Sequence, residues 1–243
     1  MGEGKSLLST SLQNKSVVES IIDRIVSAII EGELGPGDRL PTEMELCRDL
    51  GVGRNSVREA IKKLEAYGVV YIKRAEGTFV SETYNRRMLD PMLYGMILQK
   101  DSWQDLIELR RVLDIGTLYV VISHQVTEEQ LDTLKECVEQ MERAMNVAKP
   151  SVTAIMEADS EFHMAIARFT GNEQLVNITD YITRITIPSR RKTIKRVLEQ
   201  GGTEHFIDLH KQLIQVIEYQ QQEQISKAVM DHYVYWKEEE QEM

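Results

Sequence analysis

The sequence predicts a mainly α-helical chain with one small β-hairpin in its N-terminal third, and three observations carry that expectation. Apolar residues recur at helical spacing along most of the 243 residues. Runs rich in β-formers occur at one place, VVYIK and GTFVS on either side of a KRAEG turn. After about residue 82 no strand pattern appears, and successive amphipathic segments without an internal repeat read as a helical bundle. The composition, 42% hydrophobic and 28% charged, is that of a soluble globular protein. The longest apolar run, Leu118 to Ile122, falls far short of a membrane span. The opening MGEGKSLLSTSLQNK lacks the continuous apolar stretch of a signal peptide. Cys47 and Cys137 lie in separate helical patterns and read as reduced packing residues of a cytoplasmic protein.

The elements follow in order. Val17 to Ile30 is a helical pattern that stops at Gly32, and the loop GELGPGDRLP is too rich in Gly and Pro to be regular. Thr42 and Glu45 form a capping box that opens a short helix through Leu50. GVG turns the chain into a third helix, about Arg54 to Tyr67, with Val57, Ile61 and Leu64 on its buried side. Two helices joined by a tight turn and followed by a hairpin make a winged helix-turn-helix, expected over residues 14–82. In that motif the second helix enters the major groove by its N-terminal residues, here Arg54, Asn55, Ser56 and Arg58.

Charge supports this placement only locally. The chain carries a net charge of −10. Within residues 54–74, however, Arg54, Arg58, Lys62, Lys63, Lys73 and Arg74 face only Glu59 and Glu65. Screening confines fields to about 10 Å at moderate salt, so a basic patch on an acidic protein can still meet phosphates.

Residues 83–100 read as a connector with a break or helix start at Pro91, and residues 101–240 as the bundle. Its helices are expected at Trp103 to Ser123, then from the Thr127–Gln130 capping box to about Val147, then Ser151 to Phe169. A long helix from Asn172 to Glu199 contains Pro188, which predicts a kink or a split. Thr203 to Gln220 and Glu223 to Glu239 complete the set.

Three of the five histidines sit on apolar stripes of these helices. Asp159 and His163 lie one turn apart on a face shared with Ile155, Met156 and Ile166. His210 stands between Phe206 and Leu213, and His232 between Val229 and Trp236. His124 and His205 fall near helix ends, off the stripes, and read as surface residues. A buried histidine is commonly a hydrogen-bonded core residue. An unpaired buried carboxylate is costly, though, and a divalent cation engaging the imidazoles would offset that cost.

These residues carry a family resemblance. The stretch GDRLPTEMELCRDLGVGRNSVREAIKKLEAYGVVYIKRAEGTFV resembles the DNA-binding domain of GntR-family bacterial transcription factors. The resemblance implies base or phosphate contacts from Arg54 and Arg58, phosphate contacts from Asn55 and Ser56, and Gly77 at the tip of the wing. Two positions depart from the family pattern: Met44 stands where an arginine is common, and Gly53 where a serine is common. The C-terminal region resembles the FCD ligand-binding domain of the FadR branch. It does so through ELR at 108–110, DSEFH at 159–163, GN at 171–172 and the histidines of DLHKQLI and MDHY. That resemblance implies a divalent metal, zinc before nickel or manganese, held by Asp159, His163, His210 and His232. It also implies a small organic or sugar acid at the metal's open positions, with Arg110 as a bidentate partner. An ion pair with Glu108, Asp114 or another acidic neighbour is the alternative for Arg110; Arg190 and Arg191, just past Pro188, are weaker candidates for the acid and read first as surface charges.

The expected function is a ligand-responsive transcriptional repressor, a homodimer on a palindromic DNA operator with no membrane role. A metal-sensing regulator is the second reading. A metal-dependent hydrolase is the third and weakest, because Glu157 and Glu161 point off the stripe and leave no general base beside the ligands.

Overall fold

The computed structural model describes residues 16–89 and 102–237, with residues 91 and 95 between them. The chain divides into two compact units, residues 1–96 and 97–243.

In the first unit, α1 (Val17–Ile30) opens on a capping box in which Ser16 and Glu19 satisfy each other's backbone N–H. The box predicted at Thr42 and Glu45 opens α2 (Glu43–Leu50), and Gly51 ends it in the left-handed conformation at φ 66°. Gly53 then leads into α3 (Arg54–Ala66) with no side-chain cap, as expected of a residue without a hydroxyl. Val57, Ala60, Ile61 and Leu64 of α3 are buried in one core with Val18, Ile21 and Ile25 of α1. β1 (Val70–Lys73) and β2 (Gly77–Val80) pair antiparallel, with Val70 opposite Val80 and Lys73 opposite Gly77. The Gly- and Pro-rich loop is irregular except where Arg39 bridges to Phe79. There Leu40 N–H donates to the Thr78 carbonyl at 2.8 Å, and Val80 N–H donates to Asp38 at 2.9 Å. This pairing covers the edge of β2, whose backbone groups would otherwise lack partners.

The second unit comprises α4 (Ser102–Ser123), α5 (Glu128–Met145), α6 (Val152–Phe169), α7 (Glu173–Glu199), α8 (Thr203–Glu218) and α9 (Ile225–His232). α6 packs between α5 and α7, α8 lies on α5, and α9 lies on α8 and α4. Leu134, Val138, Met141 and Met145 of α5 are buried at helical spacing, in one core with Ile155, Phe162 and Ile166 of α6. Two expectations change. α7 runs through Pro188 as one helix rather than splitting, with Ile187 and Pro188 on its exposed side. The last helix is not continuous: it stops at His232 and resumes as a single turn, Val234–Lys237. A straight helix buries one stripe, whereas His232, Tyr233, Tyr235 and Trp236 are all buried. The break at Tyr233 lets these side chains reach the core. Half of the connector expected over residues 83–100 lies outside the described residues, and its described part includes a 3-10 turn at Arg86–Met88. No helix among the described residues is long and apolar enough to cross a membrane.

Candidate functional site

The helix stripes bring Asp159, His163, His210 and His232 together, with one potential ligand atom from each lying within 4.8 Å of the others. Asp159 and His163 come from α6, His210 from the middle of α8 and His232 from the last residue of α9. All four are buried. Burial removes the water that would stabilise an imidazolium. It pushes His163 down to about 3, with the Arg110 charge adding to the effect, and His210 down to about 4. His232 is held well below the usual histidine range by burial and by its two neighbouring imidazoles. The three rings are therefore neutral at neutral pH.

Neutrality makes one contact informative. His210 Nδ1 lies 2.8 Å from the Phe206 carbonyl, which can only accept, so the ring proton sits on Nδ1. His210 Nε2 then turns a lone pair toward Asp159 Oδ1 at 2.9 Å. A neutral His210 leaves two acceptors facing each other there, a contact that a cation beside them would relieve. His163 and His232 approach through their Nε2 atoms at 3.2 Å, and the buried His232 Nδ1 has no hydrogen-bond partner. Both spacings are short enough for the paired atoms to share one ion. The donor set of three imidazoles and one carboxylate, with its unsatisfied lone pairs, fits a divalent transition metal.

Two buried arginines flank this cluster. Arg110 on α4 donates from Nη1 to Thr186 Oγ1 at 3.0 Å, and its Nε lies 3.8 Å from Asp114. Asp114 in turn accepts from the Tyr233 hydroxyl at 2.7 Å. The expectation that Arg190 is a surface charge is wrong. It is 2% exposed and its Nη1 pairs with Asp159 Oδ2, while its Nε and Nη2 have no hydrogen-bond partner. The spacing Thr186, Arg190, Thr193, Val197 on α7 marks a buried stripe that could have signalled this, because all four are buried. Arg191 is exposed, as expected. Both buried guanidinium groups lie over the Trp236 ring, at 5.2 and 6.0 Å from its centre. With His163 and His232 they line a cavity of about 10 Å³, room for about one water-sized occupant. His124 and His205 are exposed, as expected. Glu157 is exposed, and Glu161 is taken up by Arg168 at 2.6 Å.

In the first unit, Arg54 and Arg58 share one exposed side of α3, with Asn55 exposed and Ser56 half-buried beside them. Both arginines reach the Glu43 carboxylate, Arg58 Nη2 at 3.1 Å and Arg54 Nε at 3.6 Å. The sequence reading missed Glu43. Gly77 opens β2 at φ 131°, and a Cβ there would lie 2.8 Å from Arg39 Nε, so the arginine packs where a side chain would stand.

Comparison with known proteins agrees with this architecture. Residues 17–80 match the family described as bacterial regulatory proteins, gntR family, and residues 105–234, more than half the chain, match the FCD domain. The chain belongs to the GntR family, with an FCD domain. The HTH-type transcriptional regulator YcbG of Bacillus subtilis is 33% identical over 71% of this chain and 70% of its own length. The HTH-type transcriptional regulator LutR of the same organism is 27% identical over 84% of this chain and 92% of its own. The HTH-type transcriptional repressor NanR of Escherichia coli is 25% identical over 94% and 86%. Among solved structures, a Streptococcus agalactiae GntR protein superimposes with a TM-score of 0.55 at 25% identity, over 92% of this chain and all of the other. This GntR protein is therefore a DNA-binding transcriptional regulator, and its families and relatives are regulators rather than enzymes.

Proposed function

We propose that the protein is a cytoplasmic, homodimeric repressor whose FCD domain holds a divalent metal ion and releases or retains operator DNA in response to a small carboxylate. The observation that carries this reading is the convergence of four buried potential ligand atoms, from Asp159, His163, His210 and His232, within 4.8 Å of one another. Asp159, His163, His210 and His232 would hold the ion, with zinc the first candidate for this donor set. When bound, the ion supplies a Lewis-acidic centre with positions open to a carboxylate oxygen. Arg190, whose buried Nε and Nη2 have no hydrogen-bond partner, favours an anionic ligand over a neutral one, with the buried Arg110 beside it. The break at Tyr233 links the site to the end of the bundle, because Tyr233 holds Asp114 beside Arg110.

Arg54, Asn55, Ser56, Arg58 and Gly77 form the surface proposed to meet the operator. The homodimer is supported by a second apolar stripe on α4, where Leu109, Val112 and Tyr119 are 41%, 64% and 44% exposed on the face opposite the core. The relative NanR is named a repressor, which supports that sign of regulation here.

A second reading, in which the ion is itself the signal, is favoured by the size of the cavity, about one water molecule. Calorimetric titration of small carboxylic acids into metal-loaded and metal-stripped protein, with and without operator, separates the two. Under the first reading an acid binds only the loaded protein. An acid that weakens operator binding tenfold then binds about tenfold more weakly in the presence of operator. Metal-dependent operator binding with no acid bound would establish the second. A protein that retains no metal after zinc or nickel loading would overturn both.

A further inference from the structure

Glu43 is the first residue of α2 and lies 15 positions before Arg58, yet its carboxylate receives the side of that guanidinium. Arg58 Nε approaches Oε1 at 3.4 Å and Nη2 approaches Oε2 at 3.1 Å, while Arg54 Nε stands 3.6 Å from Oε2. Apart from Arg54, which stands farther off, no cation of α2 competes for Glu43. Position 44 is methionine, 71% exposed, and Arg48 is engaged by Asp49 at 2.8 Å. Glu45 is held by Thr42 in the capping box. The Arg58 guanidinium keeps the Glu43 carboxyl below the usual carboxylate range, so the pair is ionised at neutral pH.

A side-on fork occupies Nε–H and one Nη2–H of an arginine. It leaves the outer edge, both Nη1 hydrogens and the second of Nη2, directed away from the carboxylate. That edge matches the O6 and N7 acceptors of guanine in the major groove. Resting on the reading that α3 enters the major groove, we infer that Glu43 is a positioning residue for sequence recognition, buttressing Arg58 so that its outer edge reads a guanine. The same carboxylate penalises indiscriminate binding. To grip a phosphate sideways Arg58 must leave Glu43, which then keeps only the longer Arg54 contact beside the DNA backbone. Glu43 raises specificity from both directions.

The test uses the full-length protein and duplexes selected by it from a random library. Binding to single-base variants of the selected site is then measured by fluorescence anisotropy for the wild type, Glu43→Ala, Glu43→Asp and Arg58→Ala. Arg58→Ala is expected to lose the guanine preference at one position of each half-site. Glu43→Ala should lose about fivefold or more of the preference at that same position, and bind duplex lacking the site several-fold more tightly. Glu43→Asp keeps the charge but is one methylene too short for the fork, and should lose the preference as alanine does. Thermal denaturation of each variant, expected to match the wild type, excludes a folding defect. Base preferences unchanged in Glu43→Ala, or weakened equally at every position, would overturn the inference. A wild-type protein that selects no sequence would overturn the reading of α3 on which it rests.

Discussion

The candidate sites of the two units treat charge in opposite ways. In the N-terminal unit the ion pairs of α2 and α3 are exposed: Arg58 and Glu43 are 55% and 31% accessible. In the C-terminal unit Asp159 and His210 are 5% and 0% accessible and meet across 51 residues of sequence, and Arg110 reaches Thr186 across 76. An exposed pair contributes roughly 0–1 kcal/mol and exchanges partners readily, as suits a surface that must trade a carboxylate for DNA. A buried charge cannot be released without a replacement, as suits a site whose occupant is to be felt through the bundle. On the proposed reading, weak and replaceable pairs stand where DNA would be met, and costly ones where a ligand would be held.

The contrast breaks if stability does not follow it. Asp159→Ala leaves Arg190 and His210 without the carboxylate they meet. It is expected to cost about 3–5 kcal/mol, read as a fall in the denaturation midpoint of the FCD unit. A loss no larger than that of a surface variant would remove Asp159 from the centre of the network.

Acid should distinguish the units next. His163 near 3, His210 near 4 and His232, also depressed, stay neutral in the folded protein, whereas unfolded histidines titrate near pH 6.5. Depressed folded values mean that the unfolded chain takes up the protons first. The stability of metal-stripped protein is therefore full above about pH 6.5 and falls as the pH drops toward 4, by about 1.4 kcal/mol per pH unit for each proton. Chemical denaturation of chelator-treated protein at pH 7 and pH 5 measures it, and equal stability at both would show the rings protonated or exposed.

Arg58→Ala should weaken specific operator binding by roughly 1–3 kcal/mol while shifting the melting temperature little. If specific and non-specific binding fall together with a shallower salt slope, Arg58 touches phosphate rather than a base. At the small end stands His124→Ala, an exposed substitution expected to change stability by no more than about 0.5 kcal/mol and to leave metal content intact. A larger effect on metal content would mean that the cluster extends beyond the four residues.

Much of this was legible in the chain itself. Capping boxes at Thr42 and Thr127, the hairpin about KRAEG, and the stripes carrying Asp159, His163, His210 and His232 follow from local rules. Helix periodicity and cap chemistry are decided by residues within a few positions of one another. Which partners meet across the interior was decided only by packing. An arginine scores as a surface residue until a carboxylate and an indole arrive from other helices, and Asp159 and Trp236 reach Arg190 only when α6, α7 and the last turn assemble. Glu43 and Arg58 lie on successive helices, and no spacing rule sets how two helices cross at a glycine turn. The last helix breaks at Tyr233 because four nearby side chains seek one core, a demand invisible to periodicity within the helix alone. Local sequence determines the face on which a side chain stands, and tertiary packing determines what stands opposite, because burial and pairing energies depend on neighbours brought from far along the chain.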